Sequence, residues 1–407
     1  MTSEKRRLSN EPEPEPEPNV RRSSPRKRVK SPSNGAEKTV MDIMAAIYFD
    51  INCVCAFRRM INSNSEDIAE DIANIHHWYR LQCDRASEFI GGAAALMLNQ
   101  ARPFPDNSDD RIRQILFRAG WMIFAMCAYS DAFRRACVEA NEEIWDMLVE
   151  NIVDNVCSIE VFARSRALDW RGPLLTLTRY NLPVLHAVLA PANRLSDEHF
   201  HHYVRTSEDK LRYPHFDGYV QTHISRCRFD SWDWPEADQV HPQTRQENDH
   251  DCDLCEQPEC TCTLAPLAGY LVELFQYPIK GVGVRALANF KNGDILDEYV
   301  GELLPGGGDG DDIYALEFRV SEETYYDPVK ISPKQFGNWT RFMNHSCKPS
   351  TEFHKMVVGN SVMIVVRAIR DISFGDEITV DYGEYYWQDK DYSCQCGEDN
   401  CKYSGNR

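Results

Sequence analysis

The spacing of seven of the last eight cysteines constrains this chain more than any other feature. There are fifteen cysteines in 407 residues. Four of them, Cys252-x2-Cys255-x4-Cys260-x-Cys262, lie within eleven residues, and three more form Cys394-x-Cys396-x4-Cys401. Thiolates this dense suit tetrahedral zinc, with Zn–S of about 2.3 Å. A disulfide framework fits less well, because the count is odd and the charged, Pro-rich start is no secretory signal. The expectation is reduced thiols holding zinc in the cytosol or nucleus. Cys252, Cys255, Cys260 and Cys262 are a candidate metal site, with four buried thiols as the alternative. Cys227, His241 or His250 stand near enough in sequence to complete or replace a ligand. The C-terminal trio is one ligand short of a tetrahedral set.

Net charge is −18, which argues against a nucleic-acid-binding body. An acidic surface favours basic partners, a histone tail among them; the plain alternative is a well-solvated face. Hydrophobic residues make up 43%, ordinary for a globular protein. No apolar run is expected to reach the roughly 18 residues of a membrane span, so no membrane contact is expected.

The chain divides by composition. Residues 1–39 read as a disordered tail. Its Glu-Pro run, Glu11 to Pro18, cannot bury anything. A basic cluster, Arg21 to Lys30, reads as a nuclear import signal or nucleic-acid contact, or as a solubilising tail. Residues 40–205 read as a helical scaffold. Ile112, Ile115, Leu116, Ala119, Ile123, Met126 and Cys127 recur at helical spacing behind Asp109 and Asp110. Asn141-Glu142-Glu143 opens a second stripe through Ile144, Met147, Leu148 and Ile152. His76, His77, His199, His201 and His202 lack partners at ligand spacing and read as surface or structural histidines. Residues 206–250 read as a polar linker with some packing by Trp232 and Trp234, and residues 251–264 as the first cysteine knuckle.

From residue 265 the pattern changes to short strands and Gly-rich turns, which imply a β-rich domain of small sheets. Strands are expected at Val272–Phe275, Ile295–Glu302 and Met363–Ala368. Lys280-Gly281-Val282-Gly283-Val284 is a Gly-x-Gly turn. With no third glycine and no βαβ context it is not a dinucleotide fingerprint, and alone it reads as a plain turn. Two denser motifs follow: Arg341-Phe342-Met343-Asn344-His345-Ser346-Cys347 and Gly375-Asp376-Glu377-Ile378-Thr379-Val380-Asp381-Tyr382.

In this order and spacing, the four signals resemble SET-domain protein lysine methyltransferases with a post-SET zinc motif. The resemblance covers about residues 265–406. It implies a multidomain chain: disordered tail, mainly helical N-terminal domain, a β-rich SET domain at 265–383 with small sheets and a pseudoknot, and a post-SET motif at 390–406. It implies S-adenosylmethionine as methyl donor, with Lys280, Gly281, Val282, Gly283, Arg341, Asn344, His345 and Tyr382 binding it. Tyr382 falls on the family's catalytic tyrosine, and Tyr314 on a second active-site tyrosine. Cys347 falls on the thiol that the family adds to Cys394, Cys396 and Cys401 to complete the zinc site. The family often has Phe or Tyr where Val380 stands; the smaller side chain points to multiple methylation. Tyr385, Tyr386, Trp387 and Tyr392 would wall a lysine channel, or pack as aromatic core.

The implied function is an S-adenosylmethionine-dependent protein lysine N-methyltransferase of the nucleus, acting on a histone tail or nucleosome, with nucleic acid touched at most by the basic tail. The alternatives are methylation of a non-histone protein, and an inactive SET scaffold that binds chromatin partners.

Overall fold

A computed structural model describes residues 34–62, 69–100, 103–105, 108–180, 182, 184–189, 204–206, 211–212, 214–216, 219–230, 234, 241–247, 249–266, 271–306, 314–318, 328–388 and 392–404. The basic cluster, most of the tail, His199, His201, His202 and Trp232 lie outside the described residues.

The N-terminal region is helical. Its helices are α1 Asn34–Asn62, α2 Ala69–Met97, α3 Asp109–Cys127, α4 Asp131–Glu139, α5 Glu142–Asp154, α6 Val156–Ser165, α7 Arg171–Leu175 and α8 Leu185–Leu189. α1 begins inside the stretch expected as tail. Its Val40, Met44, Ile47, Tyr48, Ile51 and Val54 repeat at helical spacing and are fully or almost fully buried. By length and composition α1 is apolar enough to cross a membrane, contrary to the expectation that no stretch is. Here that stripe packs into the core. In α3 the expected residues Ile112, Ile115, Leu116, Ile123, Met126 and Cys127 are buried, but the helix is kinked at Gly120, whose φ of 78° only glycine adopts readily. α5 starts where the sequence places it, with the Asn141 side chain accepting from Ile144 N at 2.9 Å.

The remainder is built of short strands. They are β1 Val204–Arg205, β2 Leu211–Arg212, β3 His215–Phe216, β4 Tyr219–Val220, β5 Thr222–His223, β6 Val272–Tyr277, β7 Gly281–Ala286 and β8 Ile295–Glu298. After them come β9 Glu302–Leu304, β10 Leu316–Phe318, β11 Val329–Ser332, β12 Phe336–Gly337, β13 Asn344–His345, β14 Thr351–Val358, β15 Ser361–Ala368 and β16 Glu377–Val380, then the short helix α9 Glu384–Gln388. The largest sheet runs β13-β16-β7-β6-β1-β2. Two three-stranded sheets run β10-β11-β9 and β14-β15-β8.

Two features tie the halves together. The segment expected as a linker carries strands, β5 pairing in parallel with β12, and β1, at the end of the stretch expected as helical, pairs in parallel with β6. One buried apolar cluster also runs from Val40 through the helices to Val284, Ile378 and Val380. Tyr48 of α1 meets Phe374 with ring centroids 5.6 Å apart. Area buried this way is the main favourable term in folding, so the helices and the sheet stabilise each other.

Candidate active site and zinc sites

The β6–β7 hairpin delivers the Gly-x-Gly turn. Gly281 closes it at φ 82°. Gly283 is required for a different reason: a Cβ there would stand 2.6 Å from Asn344 Nδ2, 2.8 Å from Glu377 Oε1 and 2.8 Å from the Tyr277 ring. The glycine thus lets β7, β13 and β16 approach closely. Asn344 Nδ2 donates to Glu377 Oε1 at 2.8 Å, and Lys280 Nζ to Glu377 Oε2 at 2.7 Å. Lys280 is therefore held by a carboxylate, and Glu377 links two residues that the sequence reading treated separately.

The segment before Asn344 is a short 3-10 helix, Trp339–Phe342, capped by the Asn338 side chain. Trp339 is fully buried and donates through Nε1 to Asp297 at 2.6 Å, which anchors the segment to β8. Arg341 is buried, donates to the Lys334 carbonyl at 3.1 Å and lies 5.8 Å from the Tyr314 ring centroid. β13 then pairs in parallel with β16, Asn344 opposite Thr379 and His345 opposite Val380.

This pairing brings His345 against Tyr382. The Tyr382 amide donates to His345 Nδ1 at 3.1 Å. A ring nitrogen that accepts leaves the proton on Nε2, which lies 3.4 Å from Cys347 Sγ and donates to it. Burial holds the imidazole below its usual pKa, so it is neutral at pH 7. The Tyr382 hydroxyl donates to the Met343 carbonyl at 2.7 Å. Burial, reinforced by Tyr314 and Tyr386, pushes this phenol well above its ordinary value, so it keeps its proton.

Tyr382, Tyr314, Arg341, Met343, Val380 and Tyr386 line one small cavity with Tyr299 and Phe353. Tyr299 donates to the Tyr314 carbonyl at 2.7 Å and packs edge-on against Phe353. The sequence reading missed Tyr299, Glu377 and Tyr277. Its place within the Gly375–Tyr382 motif was the available signal for Glu377; nothing local marks the two tyrosines.

The four thiols of Cys347, Cys394, Cys396 and Cys401 lie within 4.8 Å of one another. Cys347 Sγ is 4.0 Å from Cys394 Sγ and 3.7 Å from Cys401 Sγ. Tetrahedral zinc with Zn–S of about 2.3 Å needs sulfur pairs roughly 3.8 Å apart, so the donor set fits. The Lys402 amide donates to Cys347 at 3.2 Å and the Cys396 amide to Cys394 at 3.4 Å. Burial raises the Cys396 thiol, but the amides of Cys347 and Glu398 outweigh it and bring it to about 7. Trp387 stacks on Tyr403 and meets His345 edge-on. Lys402 reaches Asp381 at 3.0 Å. The C-terminal loop is thereby pinned beside Tyr382.

The first cluster is equally compact, with Cys252, Cys255, Cys260 and Cys262 within 4.8 Å of one another. It sits on the β14–β15 hairpin rather than beside Tyr382. Gly359 N donates to Cys252 Sγ at 3.4 Å, a bond that helps bring this thiol to about 6, and Asp253 caps Val357 N at 2.7 Å. Cys227, His241 and His250 are not members: Cys227 faces Glu298, His241 packs on Phe229, and His250 pairs with Asp253.

A family model described as the SET domain matches residues 281–383. These residues form a SET domain. The SET segment is 34% identical over 149 residues to a histone-lysine N-methyltransferase of Nicotiana tabacum, H3 lysine-9 specific SUVH1, covering 32% of this chain and 21% of that protein. It is 32% identical to the H3 lysine-36 specific enzyme of Homo sapiens, covering 35% of this chain and 6% of that one. It is 31% identical to NSD3 of Mus musculus, covering 40% and 11%. The chain thus spans about a fifth or less of the curated relatives it matches. Among solved structures, Arabidopsis thaliana SUVH6 in complex with SAM aligns at TM-score 0.36 and 19% identity, over 49% of this chain and 52% of that one.

Proposed function

We propose that this protein is an S-adenosylmethionine-dependent protein lysine N-methyltransferase, that its substrate is a histone tail, and that it works in the nucleus. One observation carries the reading. The β13–β16 pairing sets Asn344, Gly283 and Tyr382 at one end of one sheet, with the Tyr382 cavity beside them. The net charge of −18 suits a basic substrate.

The residues fit the cofactor. Asn344 offers an amide beside the Gly283 backbone, and the Tyr277 hydroxyl and Trp387 Nε1–H are buried with no hydrogen-bond partner among the described residues. Buried polar groups of this kind are ordinarily satisfied, so a polar ligand here removes a desolvation cost. Lys280, Gly281, Val282, Arg341 and His345 support this site, Lys280 through Glu377 and His345 through Tyr382. When bound, the cofactor supplies an electrophilic methyl on a sulfonium.

The chain's own residues do the rest by orientation. The target amine must arrive neutral and in line. Tyr382, a neutral phenol, aligns it without protonating it, and the Met343 carbonyl provides an acceptor in the same place. Tyr314, Tyr299 and Phe353 form aromatic walls that exclude water. Val380 leaves space for an amine that already carries methyl groups, which favours multiple methylation. Cys347, Cys394, Cys396 and Cys401 would hold a zinc ion that fixes the C-terminal loop beside the site, and Cys252, Cys255, Cys260 and Cys262 would hold a second one at the β14–β15 hairpin.

The test is methyl transfer from labelled S-adenosylmethionine to separated core histones and nucleosomes, read by mass spectrometry. Methylation of a single tail lysine is the expected result. Transfer to nothing in a histone or nuclear extract, with cofactor still bound, would sink the enzyme reading in favour of a binding scaffold.

A further inference from the structure

The helical unit ends in a buried polar node on the cofactor-bearing hairpin. Glu273 of β6 is 3% exposed and forms an ion pair with Arg285 of β7, the residue opposite it in the register. Arg205 of β1 stands 3.8 Å from the same carboxylate. Helices hold both partners. Ser158 of α6 donates to Glu273 Oε2 at 2.7 Å and accepts from Tyr48 of α1 at 2.7 Å. Asn155, at the α5–α6 junction, accepts from Arg285 Nη2 at 2.9 Å. Removing one hydrogen-bond partner of a buried carboxylate–guanidinium pair leaves a polar group unsatisfied and loosens the pair.

The node continues into the proposed cofactor site. Strand side chains alternate, so Glu273, Phe275 and Tyr277 share one face of β6. The Arg205 and Arg285 guanidinium carbons both lie 5.6 Å from the Phe275 ring centroid. Phe275 meets Tyr277 edge-on with centroids 5.0 Å apart. The Tyr277 ring in turn abuts Gly283, at the point where Asn344 and Glu377 also close in. Helix, ion pair, aromatic pair and cofactor glycine are thus in unbroken contact.

We propose that the helical unit is a working part of the cofactor site, with Ser158 and Asn155 as positioning residues that set S-adenosylmethionine affinity through the Glu273–Arg285 pair. The proposal rests on the methyltransferase reading. The helices add hydrogen bonds to Glu273 and Arg285 that the β6–β7 and β7–β16 pairings do not supply. A helical unit that is merely attached would leave cofactor affinity untouched when its contacts are trimmed.

The experiment uses the full chain with its zinc. Binding of S-adenosylhomocysteine is measured by calorimetry for the unaltered protein, Ser158→Ala, Asn155→Ala, Ser158→Thr and Val161→Ala. Val161 is a buried residue of α6 outside the node, so its truncation destabilises the helix without touching Glu273. Expected is a Kd raised about fivefold or more in Ser158→Ala and Asn155→Ala, with Ser158→Thr near the unaltered protein. KM for S-adenosylmethionine should rise with them, while kcat at saturating cofactor stays close to the original. Val161→Ala should lower Tm and leave Kd unchanged. An unaltered Kd in both Ser158→Ala and Asn155→Ala, or an equal rise in Val161→Ala, overturns the proposal and leaves the methyltransferase reading intact. No binding by the unaltered chain overturns that reading, and this inference with it.

Discussion

The Asn344 side chain, whose backbone sits opposite Thr379, reaches diagonally across the parallel β13–β16 pair to Glu377, the amide donating to Oε1 at 2.8 Å while Lys280 donates to Oε2. The carboxylate orients the amide, and the lysine neutralises a half-buried negative charge that would otherwise oppose its own burial. Removing the carboxylate leaves Asn344 free to rotate and Lys280 without its partner. Glu377→Ala is expected to weaken S-adenosylhomocysteine binding roughly tenfold or more, the loss of a charge-assisted bond. Calorimetry checks this, and an unchanged Kd would remove Glu377 from the site.

Tyr382→Phe deletes one hydroxyl. The fold should lose only about 1 kcal/mol, the net worth of the bond to Met343 O. Turnover should fall about 100-fold or more, because the lost group orients the amine in the transition state, while cofactor Kd stays the same. Single-turnover kinetics with denaturant titration separate the two effects. Full activity in the variant would move the catalytic role elsewhere.

Zinc content should be two per chain. Cys396→Ser should leave one zinc and depress activity, since Cys347, beside Asn344 and His345, shares that site. Cys255→Ser should also leave one zinc, but with a smaller effect on kcat, because its cluster sits on the β14–β15 hairpin. Native mass spectrometry counts the metal. A Cys396→Ser protein still holding two zinc ions contradicts the Cys347 assignment.

The adjacent acids Asp297 and Glu298 carry a pH signature. Burial raises Asp297 to about 6 and Glu298 to about 7. Carboxyls with raised native pKa values favour the folded state when protonated. That contribution is fully present below the unfolded values near 4 and is lost as pH rises through about 6 to 7. Glu298→Gln removes one such group. It should gain on the order of 1–3 kcal/mol over the original at pH 8 relative to pH 5, read by urea unfolding at both values. Comparison with the original protein cancels the pH dependence of the zinc sites. An identical difference at both pH values would show that Glu298 does not titrate in this range.

Val380 lines the Tyr382 cavity and is 2% exposed. Val380→Phe should fill the space left for a methylated amine, shifting product from higher to lower methylation states with little loss of the first transfer. Intact-mass analysis of the product reads the distribution. An unchanged distribution would separate methylation degree from this position.

Much of the SET half is legible in the sequence, because its motifs are local. Strand periodicity marks β6, β8 and β15, and thiol spacing marks both cysteine clusters. The Asn344–His345 and Tyr382 motifs are short and contiguous. The apolar stripes of α3 and the Asn141 cap are equally readable, since each depends on neighbours within a turn of helix.

What the fold alone decided is long-range. The bond from Lys280 to Glu377 spans 97 positions, and that from Ser158 to Glu273 spans 115. Neither has any signature in local spacing, because a buried charge declares itself only through the partner that folding brings. For the same reason the segment after residue 205 looked like a linker and Val204–Arg205 like the end of the helical region: two-residue strands such as β5 and β1 are too short to show alternation, and the edges they pair with lie far away in sequence. The sequence by itself determined the helical stripes, the thiol spacing and the short motifs of the SET segment. Only the tertiary structure decided that the helices and the SET sheet share one core, because burial is a property of the packed chain rather than of any stretch of it.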